Sequence, residues 1–196
     1  LAAAAVAAVT ALALTGCSSS GGRGGDTGAS ESAAAGFASD ATIGIALPDK
    51  TSENWGLAGK LFEDGLKEAG FTGDVQYAPA SNTVAEQQNQ ISAMITNGAK
   101  VIVIGAKDGK QLGTQLQQAA DAGVKIIAYD RLIENTPNVD YYVAFDNFKV
   151  GELQGQALLD GLAQRSGHGA PWNIERDFGS SHAANSSVFF NGAMKV

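Results

Sequence analysis

Residues 101–131 read VIVIGAKDGKQLGTQLQQAADAGVKIIAYDR, and this stretch decides the fold. The run 101–104 consists of four β-branched apolar residues, which is typical of a strand buried on both faces. Helical periodicity follows over about 109–122, and a second apolar run occupies 125–129. A strand, a helix and another strand in this order predict two neighbouring parallel strands joined by a crossover helix.

The same alternation extends through residues 41–196. Apolar runs typical of strands recur at about 42, 74, 101, 125, 142 and 172. Repeated units of this kind predict an α/β fold, with a Rossmann-like doubly wound parallel sheet covered by helices on both faces. Between the strands, helices are expected over about 54–69, 84–96, 109–122 and 147–164, and from about 185. The apolar positions expected to face inward from these helices include Leu57, Leu61, Phe62, Leu112, Leu116, Ala119, Ala120, Leu153 and Leu158.

The N-terminal 40 residues have a different composition. Residues 1–16 read LAAAAVAAVTALALTG, without charge and shorter than the roughly 20 residues that span a bilayer, so they fit an incomplete signal peptide. The end of this stretch, Leu14-Thr15-Gly16-Cys17, resembles the bacterial lipobox, in which the Cys becomes lipid-modified; the alternative is an Ala-rich buried helix. Residues 17–40 are rich in Ser, Gly and Ala, which predicts a flexible tether behind a lipid anchor.

The overall composition excludes several classes of protein. Thirteen Lys and Arg stand against 20 Asp and Glu, and a net charge of -7 argues against nucleic acid as a partner. One cysteine and two histidines are too few for a disulfide framework or a cysteine- or histidine-based metal site. No GxGxxG follows the first strand, and no GxxxxGK[ST] or GxSxG occurs. We therefore expect no cofactor, and an enzyme of flavodoxin-like topology is a minor alternative.

The candidate site follows from the predicted sheet, because ligands bind at the carboxyl ends of parallel strands. The loops at those ends contain Asn54, Trp55, Asp130, Arg131 and Asn185. Carboxylate, amide and guanidinium groups match the vicinal hydroxyls of a sugar as donors and acceptors. A flat aromatic ring covers the apolar face of a pyranose. The sequence thus predicts a sugar site in which Trp55 stacks on the ligand rather than filling the core.

These side chains also have structural interpretations, which the sequence leaves open. The alternatives are that Trp55 packs in the core, that Asp130 and Arg131 form an ion pair at a strand end, that Asp146 caps the helix beginning at Asn147, and that Lys50 and Asp108 are solvated loop charges.

Four segments resemble the D-xylose and multiple-sugar-binding proteins of bacterial ABC transporters. They are 90–104 (QISAMITNGAKVIVI), 125–133 (KIIAYDRLI), 142–154 (YVAFDNFKVGELQ) and 189–196 (FFNGAMKV). The resemblance covers about residues 41–196 and implies the type I periplasmic-binding-protein fold, in which two lobes joined by a hinge close on a monosaccharide. It implies a monomeric extracytoplasmic receptor, not an enzyme, that delivers a xylose-like or related aldose to an ABC permease and is held to the membrane through Cys17.

The resemblance also assigns roles to individual residues. Asp130 and Arg131 match the family's Asp-Arg pair that binds sugar hydroxyls, and Trp55 matches its stacking aromatic residue. Asn54 stands where the xylose-type branch typically has Arg. In the second-lobe loop only Asn185 is retained, and Ala183 replaces an Asp that contacts sugar, so the resemblance leaves the identity of the sugar open.

The resemblance further implies how the chain is divided. Residues 41–163 are expected to form lobe one, and residues 164–196 the hinge crossing and the start of lobe two, so that the chain holds only part of the receptor. A sugar-sensing transcription regulator of the same fold is the alternative. That alternative requires a basic helix-turn-helix before the domain, whereas residues 1–40 supply an apolar stretch and a tether.

Overall fold

The computed structural model describes residues 36–38, 40–80, 84–165, 171–180 and 183–196. The predicted signal peptide, Cys17 and most of the predicted tether lie outside these ranges. Within them, no helix is both long enough and apolar enough to cross a membrane.

Five parallel strands form one sheet, which confirms the predicted α/β fold. The strand order is β2-β1-β3-β4-β5, and every neighbouring pair is parallel. This order reverses direction between β1 and β3, and open α/β sheets bind ligands beside such a reversal, outside the carboxyl ends of the strands. The strands are β1 (Thr42–Leu47), β2 (Thr72–Tyr77), β3 (Val101–Ile104), β4 (Lys125–Tyr129) and β5 (Tyr141–Val143).

Five helices lie within the described residues: α1 (Glu53–Glu68), α2 (Val84–Thr96), α3 (Gly113–Asp121), α4 (Asn147–Gln164) and α5 (Ala184–Met194). After α1, α2 and α3 the chain passes through Gly70, Gly98 and Gly123, which have φ values of 82°, 83° and 71°. Only glycine adopts this left-handed conformation without steric cost, so these residues end the helices.

The helix α3 begins at Gly113 rather than at about 109, because the side chain of Asp108 closes a turn ahead of it. Its carboxylate accepts hydrogen bonds from the Lys110 amide at 2.9 Å and from Gln111 Nε2 at 2.6 Å. Asp108 is buried, so its interpretation as a solvated loop charge is wrong.

The hydrophobic core lies on both faces of the sheet. The cluster beneath α2 and α3 contains Ile91, Met94, Ile102, Ile104, Leu112, Leu116, Ala119 and Ile126. The cluster beneath α1 contains Ile43, Ile45, Leu47, Trp55, Ala58, Val101 and Val103. Leu112, Leu116 and Ala119 are inward-facing as predicted, whereas Ala120 is exposed because it lies one position beyond the buried stripe of α3.

The orientation of α1 differs from the prediction. Leu57 and Leu61 are 56% and 61% exposed, whereas Trp55 and Ala58 are buried. With Phe62, which packs against the same cluster, they form a stripe at helical spacing, and Leu57 and Leu61 lie on the opposite side. The expectation that the two leucines pack inward is therefore wrong.

The helix α4 packs against α5 and not against the sheet. A side chain at Gly151 would collide with the Phe189 carbonyl, which shows how closely the two backbones approach. Leu153 and Leu158, which the sequence predicts to face inward, are exposed, because no sheet face covers α4 among the described residues.

The strand expected at residues 172–175 is not formed. A strand requires a hydrogen-bonded neighbour. Within the part of the chain that the structure describes, no backbone hydrogen bond joins residues 171–179 to another segment.

Candidate functional site

A cleft of about 210 Å³ lies at the carboxyl ends of β1 and β4. It brings together four of the five residues that the sequence predicts as sugar ligands, Asn54, Trp55, Asp130 and Arg131. Ser52, Ala58 and Tyr129 complete its lining. The rule that places ligands at strand ends therefore located side chains that come from two separate loops and lie together in space.

Trp55 forms a wall of this cleft and also belongs to the core. Its side chain is only 9% exposed, and its ring meets that of Tyr129 edge to face at a centroid distance of 6.2 Å. A Cβ atom at Gly105 would lie 2.9 Å from Trp55 Cζ3, so the absence of a side chain there lets the indole lie against the end of β3. The expectation that Trp55 stays out of the core is wrong, since it packs in the cluster beneath α1. Its contact with a ligand stays a prediction.

Arg131 lies across the indole of Trp55. Its Cζ atom is 5.4 Å from the ring centroid, and its Nη1 donates a hydrogen bond of 3.0 Å to the carbonyl of Ala106. A guanidinium has five N–H donors in a planar fork, so this anchoring bond leaves others that are able to meet hydroxyl oxygens. Among the ion pairs of the described residues there is none between Asp130 and Arg131, which disfavours the structural ion-pair interpretation.

Asp130 is the first residue after β4 and has a φ of 62°, a left-handed conformation that is uncommon for a residue with a side chain. Its amide donates to the carbonyl of Val143 at 2.8 Å. Burial raises the pKa of its carboxyl, and the neighbouring charge of Arg131 partly offsets this. The carboxylate is therefore partly desolvated beside a cation, an environment that strengthens hydrogen bonds to a ligand.

Asn54 and Asn185 occupy different positions relative to the cleft. Asn54 lies in the first turn of α1 and is exposed at the cleft. Asn185 lies in the first turn of α5, and its Nδ2 donates to the Asp130 carbonyl at 3.0 Å. The Asn185 Oδ1 atom is buried and has no hydrogen-bond partner among the described residues. Asn185 thus contacts the backbone carbonyl of Asp130, and it lies beside the cleft rather than in its lining.

Two of the structural alternatives fit the observed contacts. Asp146 caps α4, because its carboxylate accepts a hydrogen bond of 2.9 Å from the Lys149 amide. Lys50 is exposed, and its ammonium lies 5.3 Å from the centroid of the Tyr77 ring.

The sequence reasoning missed Gln87, which is fully buried in α2. Its Nε2 donates to the Gly105 carbonyl at 2.9 Å, and its Oε1 accepts from the Lys107 amide at 2.8 Å. These bonds fix the loop after β3, whose Ala106 carbonyl receives Arg131. A signal was available, because Gln87 is a polar residue in the inward stripe that also contains Ile91.

A larger cavity, of about 520 Å³, lies beside α4 and α5. Its lining is mainly apolar and includes Phe178, Phe190 and Met194, and none of its residues directly follows a strand of the sheet. Within the described ranges, no group of three or more His, Cys, Asp and Glu side chains is arranged to hold a metal ion.

Comparison with known proteins places this chain in a family. The family model described as a periplasmic binding protein domain matches residues 43–196. The multiple sugar-binding periplasmic receptor ChvE of Rhizobium radiobacter is 48% identical over 161 residues, which cover 82% of this chain and 45% of that protein. The D-xylose-binding periplasmic protein of Escherichia coli is 36% identical over 163 residues, which cover 83% of this chain and 46% of that protein.

Solved structures show the same relationship. An ABC transporter solute-binding protein from Clostridium phytofermentans with bound β-D-glucose is 42% identical, with a TM-score of 0.73 over 79% of this chain and 47% of that one. This chain spans less than half the length of these relatives. Since the family model matches most of the chain and the parallel sheet matches these structures, the chain belongs to the type I periplasmic-binding-protein family, among the relatives of its multiple-sugar and D-xylose receptors.

Proposed function

We propose that the full-length protein is an extracytoplasmic receptor that captures a monosaccharide, a xylose-like or related aldose, and delivers it to an ABC import permease. The observation that carries this proposal is the convergence of Asn54, Trp55, Asp130 and Arg131 on one cleft at the carboxyl end of the sheet. The relatives reported above are named as sugar-binding or solute-binding proteins, which gives no support to the transcription regulator.

The chemistry of the cleft suits a pyranose. The Asp130 carboxylate accepts hydrogen bonds, the Arg131 guanidinium donates them, and the Asn54 amide does both. Trp55 and Tyr129 supply apolar surface for the C–H groups of the sugar. Sugar hydroxyls are neutral and do not need a charge of opposite sign beside them. The half-buried Asp130 carboxylate and the Arg131 guanidinium, which is bonded to the Ala106 carbonyl, are therefore suited to bind separate hydroxyls.

The cleft is one half of the proposed site. A volume of about 210 Å³ is below the roughly 300–1,000 Å³ of a typical ligand pocket, and a second lobe closing over it would supply the remaining wall. The sequence prediction places the end of lobe one at residue 163. We propose that the crossing lies earlier, between β5 and α4, and that α4 and α5 belong to the second lobe; the packing of α4 on α5 and not on the sheet supports this.

The direct test is calorimetric titration of the full-length protein with a panel of aldoses that includes D-xylose and D-glucose. At least one aldose should bind with one-to-one stoichiometry, and an amino acid of similar size should not. If no monosaccharide binds to a protein that is demonstrably folded, the proposed function is wrong.

Sugar affinity is expected to fall as the pH is lowered from about 7 to about 4. The ionised Asp130 carboxylate is the proposed acceptor, and because burial raises its pKa, protonation begins at a higher pH than for a solvated aspartate. Titrations at several pH values, with the unfolding midpoint measured at each, check this. The Asp130→Asn variant should bind more weakly at pH 7 and lose this pH dependence; an identical pH dependence in variant and wild type would contradict the assignment.

We also propose that Cys17 carries a lipid that holds the receptor at the outer face of the cell membrane. The proposal is supported by the sequence Leu14-Thr15-Gly16-Cys17 ahead of a polar tether. Metabolic labelling with a fatty-acid probe should mark the wild type and not Cys17→Ala, while Ser18→Ala serves as the matched control and should be labelled. Equal labelling of wild type and Cys17→Ala would refute the anchor.

A further inference from the structure

The peptide of Asp130 is held in a strained turn. Arg131 N donates to the Tyr129 carbonyl at 2.7 Å, which closes a three-residue γ-turn with Asp130 at its centre. A γ-turn with a positive central φ is rare and strained, and here φ is 62° at a residue that carries a side chain. Such strain persists only where surrounding contacts enforce it.

Two side chains donate hydrogen bonds to the carbonyl of Asp130. The Tyr142 hydroxyl on β5 and the Asn185 Nδ2 on α5 each donate to Asp130 O at 3.0 Å. A carbonyl oxygen has two lone pairs, so both acceptor sites are used. Burial, followed by the nearby charge of Asp130, raises the pKa of Tyr142, and a hydrogen bond with Asn147 only partly offsets this, so the hydroxyl stays a donor at neutral pH.

The turn also determines where two candidate ligands point. Asp130 and Arg131 are consecutive, and a change of φ at Asp130 redirects its carboxylate relative to the guanidinium that follows. The amide of Asp130 is bonded to Val143 on the same strand that carries Tyr142. The backbone of Asp130 is therefore held on both sides, through its N–H by β5 and through its C=O by Tyr142 and Asn185.

We propose that Tyr142 is a positioning residue for the sugar site: its hydroxyl, together with the amide of Asn185, holds the Asp130 γ-turn that directs Asp130 and Arg131 into the cleft. This inference rests on the proposed function for its effect on binding. It assigns Tyr142 no contact with the sugar, because Tyr142 lines the adjoining cavity with Asn185 and not the cleft with Trp55.

The variant Tyr142→Phe tests this by removing one hydroxyl from a side chain that is already 42% exposed, so the fold should persist. The control is Tyr141→Phe, on the neighbouring residue, which is 66% exposed and whose hydroxyl makes no hydrogen bond among the described residues. Two quantities are measured on the full-length protein: affinity for the tightest-binding aldose of the panel, and amide hydrogen exchange of the segment 129–131 without sugar.

We expect Tyr142→Phe to weaken binding about fivefold or more, the loss typical of one hydrogen bond, and to speed exchange in 129–131. Tyr141→Phe should leave both quantities at their wild-type values. Wild-type exchange in Tyr142→Phe overturns the proposal, even if affinity falls, because the hydroxyl then acts directly on the ligand. Faster exchange with unchanged affinity also overturns the positioning role. If the wild type binds no aldose, the proposed function fails, and the exchange comparison still decides whether the hydroxyl holds the turn.

Discussion

Replacing Arg131 with Ala is expected to weaken monosaccharide binding by roughly ten- to a hundredfold, or about 1.5–3 kcal/mol, with little loss of stability. The guanidinium is the charged donor of the cleft, and sugar oxygens that lose it are left desolvated without a partner. Its own structural contacts are one hydrogen bond to the Ala106 carbonyl and the face of Trp55. Calorimetric titration together with thermal unfolding separates the two effects.

Two further variants make the Arg131 result specific. Arg131→Lys keeps the charge but loses the planar fork, and should bind more weakly than wild type but more tightly than Arg131→Ala. Arg165→Ala removes an exposed arginine at the end of α4 and should leave affinity unchanged. If Arg131→Ala unfolds much of the protein while the folded remainder binds normally, Arg131 is structural and its assignment to the site is wrong.

Replacing Trp55 with Ala is expected to lower the free energy of unfolding by about 3–5 kcal/mol and to abolish most sugar binding. Trp55 is 9% exposed, and its ring packs on Tyr129 and the end of β3, so its removal leaves a cavity and removes the surface on which Arg131 lies. Denaturant unfolding and calorimetry give the two quantities.

The matched control for Trp55 is Leu57→Ala on the same helix. Leu57 is 56% exposed, and its removal should change stability by no more than about 0.5 kcal/mol and leave binding intact. Similar stability losses in the two variants would show that Trp55 does not anchor the core. Normal affinity in a destabilised Trp55→Ala protein would show that the ring has no part in the site.

The five strands of the sheet and the C-terminal ends of α1, α2 and α3 were predictable because their signals are local. The apolar runs at 101–104 and 125–129 and the glycines after α1, α2 and α3 each act within a few residues. The orientation of α1 was not predictable, because Leu57 and Leu61 are as apolar as the residues that this helix buries. Only the sheet beneath the helix selects Trp55, Ala58 and Phe62 as the inward face.

The location of the site was predictable from topology, whereas the contacts that shape it were not. Residues after β1 and β4 meet because parallel strands end at one edge of the sheet. The bonds of Gln87 to the loop after β3 and of Tyr142 to Asp130 cross between elements. The position of Gln87 in the inward stripe of α2 indicates burial but not its partners, and nothing in the local sequence indicates the bond of Tyr142 to Asp130. The left-handed backbone of Asp130, a conformation that Asp adopts more often than most residues, is held by hydrogen bonds from Tyr142 and Asn185 that no local pattern indicates.

The proposed function requires that the cleft formed by Trp55, Asp130 and Arg131 binds a monosaccharide. A crystal structure of the full-length protein with its tightest-binding aldose tests it most directly. We expect sugar hydroxyls within about 2.7–3.2 Å of the Asp130 carboxylate and the Arg131 guanidinium, with the sugar in contact with the rim of Trp55. An aldose bound elsewhere, with none of these side chains within hydrogen-bonding distance, would contradict the assignment of this cleft as the sugar site.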